Sequence, residues 1–362
     1  MGRSRQGGYI KMNEAYLWEF LDTQDDITIV DSFVKANSVI NSPLYETILC
    51  SISGGSDSDV MLDLISRVDL NKKVKYVWFN TGLEYQATKD HLDYLEQKYN
   101  IEIIRERAIK PIPLTCKEYG QPFISKFVSE QIGRLQKHGF NFIDLPYEEL
   151  ILLYPKCVSA LKWWCNVYES KAGNSRFNIS RNKYLKEFLI ANPPTFKISS
   201  KCCSYAKKNV GKSAVKKYKA DLQIIGVRQA EGGIRAVAYK NCYSLSENGV
   251  DNYRPLFWYK DDTKERYEIK FNIIHSACYT KYGFRRTGCS CCPYARNLEE
   301  ELETTRIYEP KLYKAVCNVF KDSYEYTRKY REFVQIMKLK EDKTQIAGQM
   351  NIIDFIEGAN NG

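Results

Sequence analysis

The chain has 362 residues, of which 44% are hydrophobic and 27% are charged, and these fractions are typical of a folded globular protein rather than a disordered or collagen-like one. Its formal net charge of +10 indicates an anionic partner without choosing between a nucleic acid, a nucleotide and an acidic protein. Residues 1–6 do not resemble the start of a signal peptide, and no run reaches the roughly 18 apolar residues of a membrane span. We therefore predict a cytoplasmic protein with no membrane partner.

The first part of the chain alternates between two kinds of hydrophobic pattern. Residues 1–40 have a mixed, partly helical pattern, which predicts an N-terminal helical arm. Short apolar runs rich in strand-forming residues follow at 47–52, 74–79 and 101–105, and the first two lead into helical spacing. A similar run recurs at 222–226. Strands that alternate with helices predict an α/β fold with a parallel sheet flanked by helices.

The remaining segments interrupt or extend this pattern. Residues 111–200 contain prolines, aromatic residues and polar stretches, which predict a helical insertion. Residues 298–362 have charged helical patterns and predict a helical C-terminal extension. The predicted α/β domain therefore comprises residues 41–110 and 201–297.

A loop with the parts of a phosphate-binding site follows the first predicted strand. Glycines let backbone N–H groups approach an anion, hydroxyls add hydrogen-bond donors, and a following helix offers the positive end of its dipole. A Gly-Gly turn without a ligand is the alternative, but the full six-residue segment favours a nucleotide site. The predicted loop consists of Ser53, Gly54, Gly55, Ser56, Asp57 and Ser58.

Three more segments follow in order. The second ends the next strand, at the edge where open α/β sheets bind ligands. It contains Asn80, Thr81, Gly82 and Glu84. The third carries arginines, whose guanidinium groups can fork onto phosphate or sulfate oxygens. It contains Gly226, Arg228, Glu231 and Arg235. The fourth, at 254–258, reads Arg-Pro-Leu-Phe-Trp.

In this order, the four segments resemble motifs of the PP-loop ATP-pyrophosphatases, and in particular of the phosphoadenylyl-sulfate (PAPS) reductase family. The first is similar to the SGGxDS signature and the second to a DTG segment with Asn80 in place of the acid. The third is similar to GxRxxE followed by RA, and the fourth to PL…W. The resemblance covers most of the chain and implies a Rossmann-like fold of the adenine nucleotide alpha hydrolase type, which binds ATP or a related adenine nucleotide. One departure is Ser56, where many relatives carry lysine, so a positive charge is missing from the predicted phosphate site.

The twelve cysteines are unevenly distributed. In a chain without a secretion signal, they favour reduced thiols and metal ligation over disulfides. Their CC…CxxC arrangement is similar to the pattern of adenylyl-sulfate reductases, and this resemblance implies a [4Fe-4S] cluster. The implied ligands are Cys202, Cys203, Cys289 and Cys292. Four thiolates also suit Zn²⁺. Substitute ligands are Cys242, Cys278 and Cys291, and buried thiols without a metal are the remaining alternative.

The resemblance leaves the reaction open. Sulfonucleotide reductases carry a Glu-Cys-Gly-Leu-His segment whose cysteine attacks the sulfate sulfur, whereas no cysteine follows Cys317 here. Unless Cys291 or Cys317 substitutes, we favour the chemistry of sulfur-insertion enzymes of RNA and DNA. In these enzymes a substrate oxygen is adenylylated by ATP, pyrophosphate leaves, and sulfur displaces AMP. The resemblance then implies that Asp57 helps to hold Mg²⁺ and that Arg228 or Arg235 stabilises the developing charge.

The composition gives partial information about the molecule that accepts sulfur and about the partners of the protein. The positive net charge, the 27 tyrosines and the 5 tryptophans suit a nucleic-acid acceptor, although tyrosines more often serve packing. A small-molecule acceptor is equally compatible, and either reaction needs a sulfur donor or a partner protein that delivers sulfur. A thiol-dependent PAPS reductase and a non-catalytic nucleotide-binding regulatory module are the alternatives.

Overall fold

The computed structural model describes residues 26–170, 173, 175–232, 238–246 and 249–359, with side chains as far as Glu341. Most of the predicted N-terminal arm, residues 1–25, therefore lies outside the described residues, and its remainder forms a helix from Ile27 to Ile40. No helix among the described residues is both long enough and apolar enough to cross a membrane.

The strands form one six-stranded sheet. They are β1 (Ile48–Ile52), β2 (Val74–Asn80), β3 (Ile103–Arg107), β4 (Leu222–Ile225), β5 (Tyr243–Ser244) and β6 (Asp251–Tyr253). The strand order is β3-β2-β1-β4-β6-β5, and every pair is parallel except β5 with β6. The predicted α/β fold with a mostly parallel sheet is thus confirmed. Its antiparallel edge was not predicted; it arises because the connection from β5 to β6 is too short for a crossover helix.

The helices flank this sheet or form a separate helical part. In chain order they are α1 (Ile27–Ile40), α2 (Ser56–Val68), α3 (Gln86–Tyr99), α4 (Ile112–Tyr119), α5 (Lys126–Lys137), α6 (Tyr147–Leu153), α7 (Val158–Trp164), α8 (Leu185–Ala191), α9 (Lys201–Cys203), α10 (Asn209–Lys217), α11 (Asp261–Lys270), α12 (Ala277–Thr280), α13 (Leu298–Tyr308), α14 (Pro310–Val319) and α15 (Lys321–Ala359). A π-helical turn, Ser204–Lys208, joins α9 to α10.

The chain divides into two compact units. The sheet unit comprises residues 1–113, 203–292 and 299–314, and the helical unit comprises residues 114–202, 293–298 and 315–362. These divisions differ from the predicted boundaries, which placed all of 298–362 in one extension. The predicted domains remain a proposal.

In the sheet unit, α2 is a largely buried helix. All of its residues from Ser58 to Val68 are buried, so its polar side chains need internal partners. Asp63, which has no exposed surface, accepts hydrogen bonds from Arg67 Nε at 2.7 Å and from the hydroxyls of Tyr99 and Tyr267 at 2.9 and 2.8 Å. This buried network fixes the helix whose N-terminus faces the predicted phosphate loop.

The helical unit has its own core, built largely from aromatic side chains. Trp163 and Trp164 on α7 are fully buried, and the indole N–H of Trp164 donates to the carbonyl of Ile143 at 3.1 Å. Tyr326 on α15 packs against Phe123 with ring centroids 4.7 Å apart. Helices predicted in 111–200 therefore form the core of this unit together with α15.

Candidate functional site

The predicted phosphate loop links β1 to the N-terminus of α2, as its sequence indicates. Gly54 has φ +67°, and a Cβ there would lie 2.8 Å from Thr88 Cγ2, so the position requires glycine. The Ser53 N–H donates to Ser58 Oγ at 3.0 Å, and the Gly55 N–H donates to Ser53 Oγ at 3.3 Å. These bonds hold the loop in a tight turn around the start of the helix.

Hydroxyl groups from a distant segment surround the start of α2. The Ser56 N–H donates to the Tyr279 hydroxyl at 3.1 Å, and that hydroxyl lies 2.9 Å from Thr287 Oγ1. A Cβ at Gly55 would lie 3.2 Å from the side-chain oxygens of Ser53, Tyr279 and Thr287. Exchangeable hydroxyls at a helix N-terminus provide donors that can turn towards an anion.

Two cations meet the carboxylate of Asp57 beside this loop. Arg228 Nε donates to Asp57 Oδ1 at 2.9 Å, and Lys264 Nζ lies 3.1 Å from the same oxygen. Lys264 also donates to Ser56 Oγ at 2.8 Å. Arg228 has a second acid partner, Asp261, at 2.8 Å. Burial alone would lower the pKa of Arg228, but Asp261 and Asp57 raise it overall.

The segment after β4 positions Arg228. Gly226 lies against α2, because a Cβ there would be 3.5 Å from Met61 Sδ. The Arg228 N–H donates to Glu231 Oε1 at 3.3 Å, and Glu231 in turn pairs with Arg286 at 3.1 Å. Gly226, Arg228 and Glu231 therefore act together in shaping one turn. Arg235, the other predicted arginine, lies outside the described residues.

Polar contacts close the turn that follows β2. The Gly82 N–H donates to Asn80 Oδ1 at 2.9 Å, and Thr81 Oγ1 donates to Glu84 Oε1 at 2.6 Å. Gly82 has φ +87°, and a Cβ would lie 2.9 Å from Pro111 Cβ. Burial raises the pKa of Glu84, although Lys207 and Thr81 oppose this shift.

Two of the four predicted metal ligands meet next to this turn. Cys289 lies close enough to interact with Lys207 and Thr81, and Cys203 lies close enough to interact with both Lys207 and Cys289. Burial alone lowers the pKa of Lys207, but Cys289, Glu84 and Cys203 raise it overall. Burial raises the pKa of the Cys289 thiol despite the charge of Lys207.

The substitute cysteines have other neighbours. Cys291 Sγ lies 3.2 Å from Thr305 Oγ1, and its N–H donates to the Tyr85 hydroxyl at 3.1 Å. Cys278 Sγ lies 3.6 Å from Thr88 Oγ1. Ser290, beside Cys289, donates from its N–H to the carbonyl of Leu83 at 3.0 Å. The turn at residues 289–292, here called the cysteine-rich turn, is thus fixed against the segment that follows β2, with Cys289 beside Lys207.

The donor set fits a thiolate-ligated metal centre only in part. Across the described ranges, no group of three or more histidine, cysteine, aspartate or glutamate side chains is arranged to hold a metal ion. Cys203 and Cys289 share the ammonium of Lys207, which suits a pair of thiolates. Cys292 is half-buried in the sheet unit, and Cys202 is buried in the helical unit. The four-cysteine ligand set therefore stays a prediction.

Sequence reasoning missed four of these residues. Lys264, Tyr279, Thr287 and Lys207 lie in no motif. Lys264 belongs to a helix whose sequence, DDTKERYEIK, is typical of a solvent-exposed surface. Only the three-dimensional structure brings these side chains to the predicted loops.

Comparison with known proteins supports the resemblance that the four sequence segments indicate. Residues 47–131 match the phosphoadenosine phosphosulfate reductase domain family, and the matched stretch includes the phosphate loop and the turn after β2. An uncharacterized protein of Methanocaldococcus jannaschii is 29% identical over 199 residues, covering 51% of this chain and 39% of its own length. The chain spans less than half the length of the curated relatives it matches.

Two solved structures illustrate the structural similarity. PAPS reductase from Candida auris, in its phosphate complex, has 12% sequence identity and a TM-score of 0.39, with 78% of this chain and 98% of that chain covered. The U34-tRNA thiolase NcsA from Methanococcus maripaludis, with its [4Fe-4S] cluster, has 14% identity and a TM-score of 0.35, with 86% and 81% covered.

Proposed function

We propose that this protein binds ATP or a related adenine nucleotide and transfers the adenylyl group with release of pyrophosphate, in sulfur transfer to a nucleic acid or a small acceptor. The observation that carries the proposal is the meeting of the glycine-containing loop, the N-terminus of α2 and the cations Arg228 and Lys264. The phosphoadenosine phosphosulfate reductase domain match supports it because that match includes the loop.

The loop has the chemistry to bind the pyrophosphate portion of the nucleotide. Its backbone N–H groups, the hydroxyls of Ser53, Ser56 and Ser58, and the helix dipole all favour an anion. Asn80, Thr81, Gly82 and Glu84 follow β2, which neighbours β1 in the sheet, and we propose that this turn contacts the nucleoside portion. Both segments lie at the carboxyl ends of parallel strands, where such sheets bind ligands.

The proposed reaction has two steps. An acceptor oxygen attacks the α-phosphorus, the bond from that phosphorus to the bridging oxygen breaks, and pyrophosphate leaves with the electron pair. A sulfur nucleophile from a donor then attacks the carbon that bears the adenylylated oxygen, the bond from that carbon to the oxygen breaks, and AMP leaves with the electron pair. Arg228, with Arg235, is proposed to stabilise charge that develops on the phosphate oxygens.

Asp57 is the residue proposed to hold Mg²⁺, because a carboxylate oxygen is a ligand type that this ion prefers. Bound Mg²⁺ supplies charge neutralisation at the phosphates. The Asp57 side chain keeps 22% of its surface exposed, although Arg228 and Lys264 already lie at its Oδ1. The hydrogen bond from Arg228 Nε to Asp57 Oδ1 therefore holds the carboxylate in place beside the loop.

Cys202, Cys203, Cys289 and Cys292 are proposed to ligate a [4Fe-4S] cluster, with Zn²⁺ as the alternative metal. A cluster of this kind supplies redox-active iron and inorganic sulfide next to the proposed nucleotide site. Lys207 supports the proposal, because its positive charge offsets thiolates at Cys203 and Cys289.

The test is to assay pyrophosphate and sulfite separately, with ATP and with PAPS as substrates, on anaerobically purified protein. Release of pyrophosphate that requires an added RNA, DNA or small acceptor would support adenylyl transfer, and Asp57→Asn should abolish it. Formation of sulfite from PAPS would instead identify a thiol-dependent reductase. Nucleotide binding with neither product would identify a regulatory module.

A further inference from the structure

The phosphate loop contains no basic residue of its own. Residues 53–58 are serine, glycine and aspartate, and Asp59 adds a second carboxylate in the first turn of α2. A nucleotide triphosphate carries several negative charges, and carboxylates repel it. Cations that neutralise these charges must therefore come from other elements.

Lys264 reaches the loop from α11. Its side chain keeps only 14% of its surface exposed, which is low for lysine because burial of an ammonium is costly without partners. The three partners of Nζ are Ser56 Oγ at 2.8 Å, Asp57 Oδ1 at 3.1 Å and Glu268 Oε1 at 3.2 Å. One hydrogen bond and two ion pairs therefore offset the burial of this ammonium.

Each of the two carboxylates that contact Lys264 has a second cationic partner. Asp57 Oδ1 also accepts from Arg228 Nε at 2.9 Å, so it keeps a charged partner if Lys264 moves. Glu268 has His275 Nε2 at 3.0 Å. If the Lys264 ammonium moves away, Asp57 therefore keeps Arg228 and Glu268 keeps His275 as a partner. Ser56, at the first position of α2, links the ammonium to the anion-binding end of the helix.

We infer that Lys264 is the phosphate-binding cation of this loop, exchanging its contact with Asp57 for a phosphate oxygen when the nucleotide binds. This inference rests on the proposed function and names a residue that completes the same site. Lysine suits the role because its ammonium is a compact point charge on a flexible stem. The stem lets Nζ move between neighbouring oxygens without displacement of α11.

The inference predicts which ligands depend on Lys264. A cation at the pyrophosphate portion interacts with ATP and inorganic pyrophosphate, but much less with AMP, which lacks that portion. Lys264→Gln should weaken binding of ATP and pyrophosphate at least roughly ten-fold, as expected for loss of one charge-assisted hydrogen bond in a partly buried site. Affinity for AMP should change less than about two-fold.

The experiment is isothermal titration calorimetry of the full chain with ATP, inorganic pyrophosphate and AMP. Lys270→Gln, which removes the same charge from the exposed end of α11, is the matched control and should bind all three like the unaltered protein. Lys264→Met, which keeps most of the apolar stem, is the second variant should Lys264→Gln fail to fold.

The outcomes separate the inference from the function on which it rests. Selective weakening of ATP and pyrophosphate binding in either folded Lys264 variant supports the inference. Unchanged affinity of these variants for ATP and pyrophosphate overturns the inference and leaves the proposed function standing. A loss of affinity for AMP equal to that for ATP has the same consequence. Absence of ATP binding by the unaltered protein and by Lys270→Gln overturns both.

Discussion

Arg228 Nε donates a hydrogen bond to Asp57 Oδ1 at 2.9 Å, although 171 residues separate the two in the chain. The contact joins the turn after β4 to the first turn of α2. β4 and β1 are neighbours in the sheet, so the two turns emerge at the same edge. The ion pair therefore ties two of the segments that the sequence predicts to form one site.

Breaking this pair should destabilise the fold. Arg228→Ala removes a guanidinium that is only 9% exposed and leaves the partly buried Asp57 with one cation fewer. We expect a loss of about 1–3 kcal/mol in the free energy of unfolding, measured by urea denaturation. Arg286→Ala is the control, because Arg286 is 71% exposed in its pair with Glu231 and should cost less than about 1 kcal/mol. Equal losses would contradict a special role for the Arg228 pair.

Gly55 tests the loop itself. Its φ of −98° is open to any residue, so Gly55→Val should not strain the backbone. The new side chain would crowd the hydroxyls of Ser53, Tyr279 and Thr287, each 3.2 Å from the Cβ position. We expect ATP affinity to fall more than roughly ten-fold, while the far-ultraviolet circular dichroism stays unchanged. Gly211→Ala on α10, where a Cβ meets only ordinary contacts, should keep its affinity; unchanged binding by Gly55→Val would remove the loop from the site.

The parts of the fold that sequence predicts best are local ones. The loop at 53–58 was predictable because strand, glycines and helix start all fall within a few residues of one another. β3 was predicted at 101–105 but runs from Ile103 to Arg107. The two-residue shift has a physical cause: Asn100 ends α3 in a left-handed conformation, φ 49°, so Ile101 and Glu102 belong to the connecting turn.

Distant contributions to the site could not be predicted. Lys264 contacts Ser56 across 208 residues, and its own sequence has the acid–base alternation of an exposed helix. Its burial arises from the packing of α11 against α2, which no local pattern encodes. Likewise, Lys207 lies in no motif, and only the folded chain brings it to Cys289, on a turn that the bond from the Ser290 N–H to the Leu83 carbonyl holds in place.

His275 should make stability depend on pH. Burial alone lowers its pKa, but hydrogen bonds to Asp59 and Glu268 raise it from 6.5 to about 9. Because the pKa is higher in the folded state, the stabilisation is complete below about pH 6.5 and is lost as pH rises through about 9. Urea denaturation from pH 6 to pH 10 should show this loss in the unaltered protein and not in His275→Gln. His138→Gln, which changes a half-buried histidine at the end of α5, should retain the loss; an identical pH profile in His275→Gln would refute the assignment.

The cysteine pair tests the metal centre. Protein purified without oxygen should be brown and hold about four irons and four sulfides per chain if Cys203 and Cys289 ligate a [4Fe-4S] cluster. Cys203→Ser or Cys289→Ser should lose the colour and the iron, and stability should fall because metal ligation would tie α9 to the cysteine-rich turn.

Cys50→Ser and Cys116→Ser, at buried positions elsewhere in the chain, should keep the metal content of the unaltered protein. A colourless protein that holds one zinc would show that the metal is zinc and would leave the ligand assignment unchanged. Full metal content in both the Cys203 and the Cys289 variant would instead exclude these two cysteines as ligands. In that case Cys242, Cys278 and Cys291 are tested next, although the thiol of Cys278 already contacts the Thr88 hydroxyl and that of Cys291 the Thr305 hydroxyl.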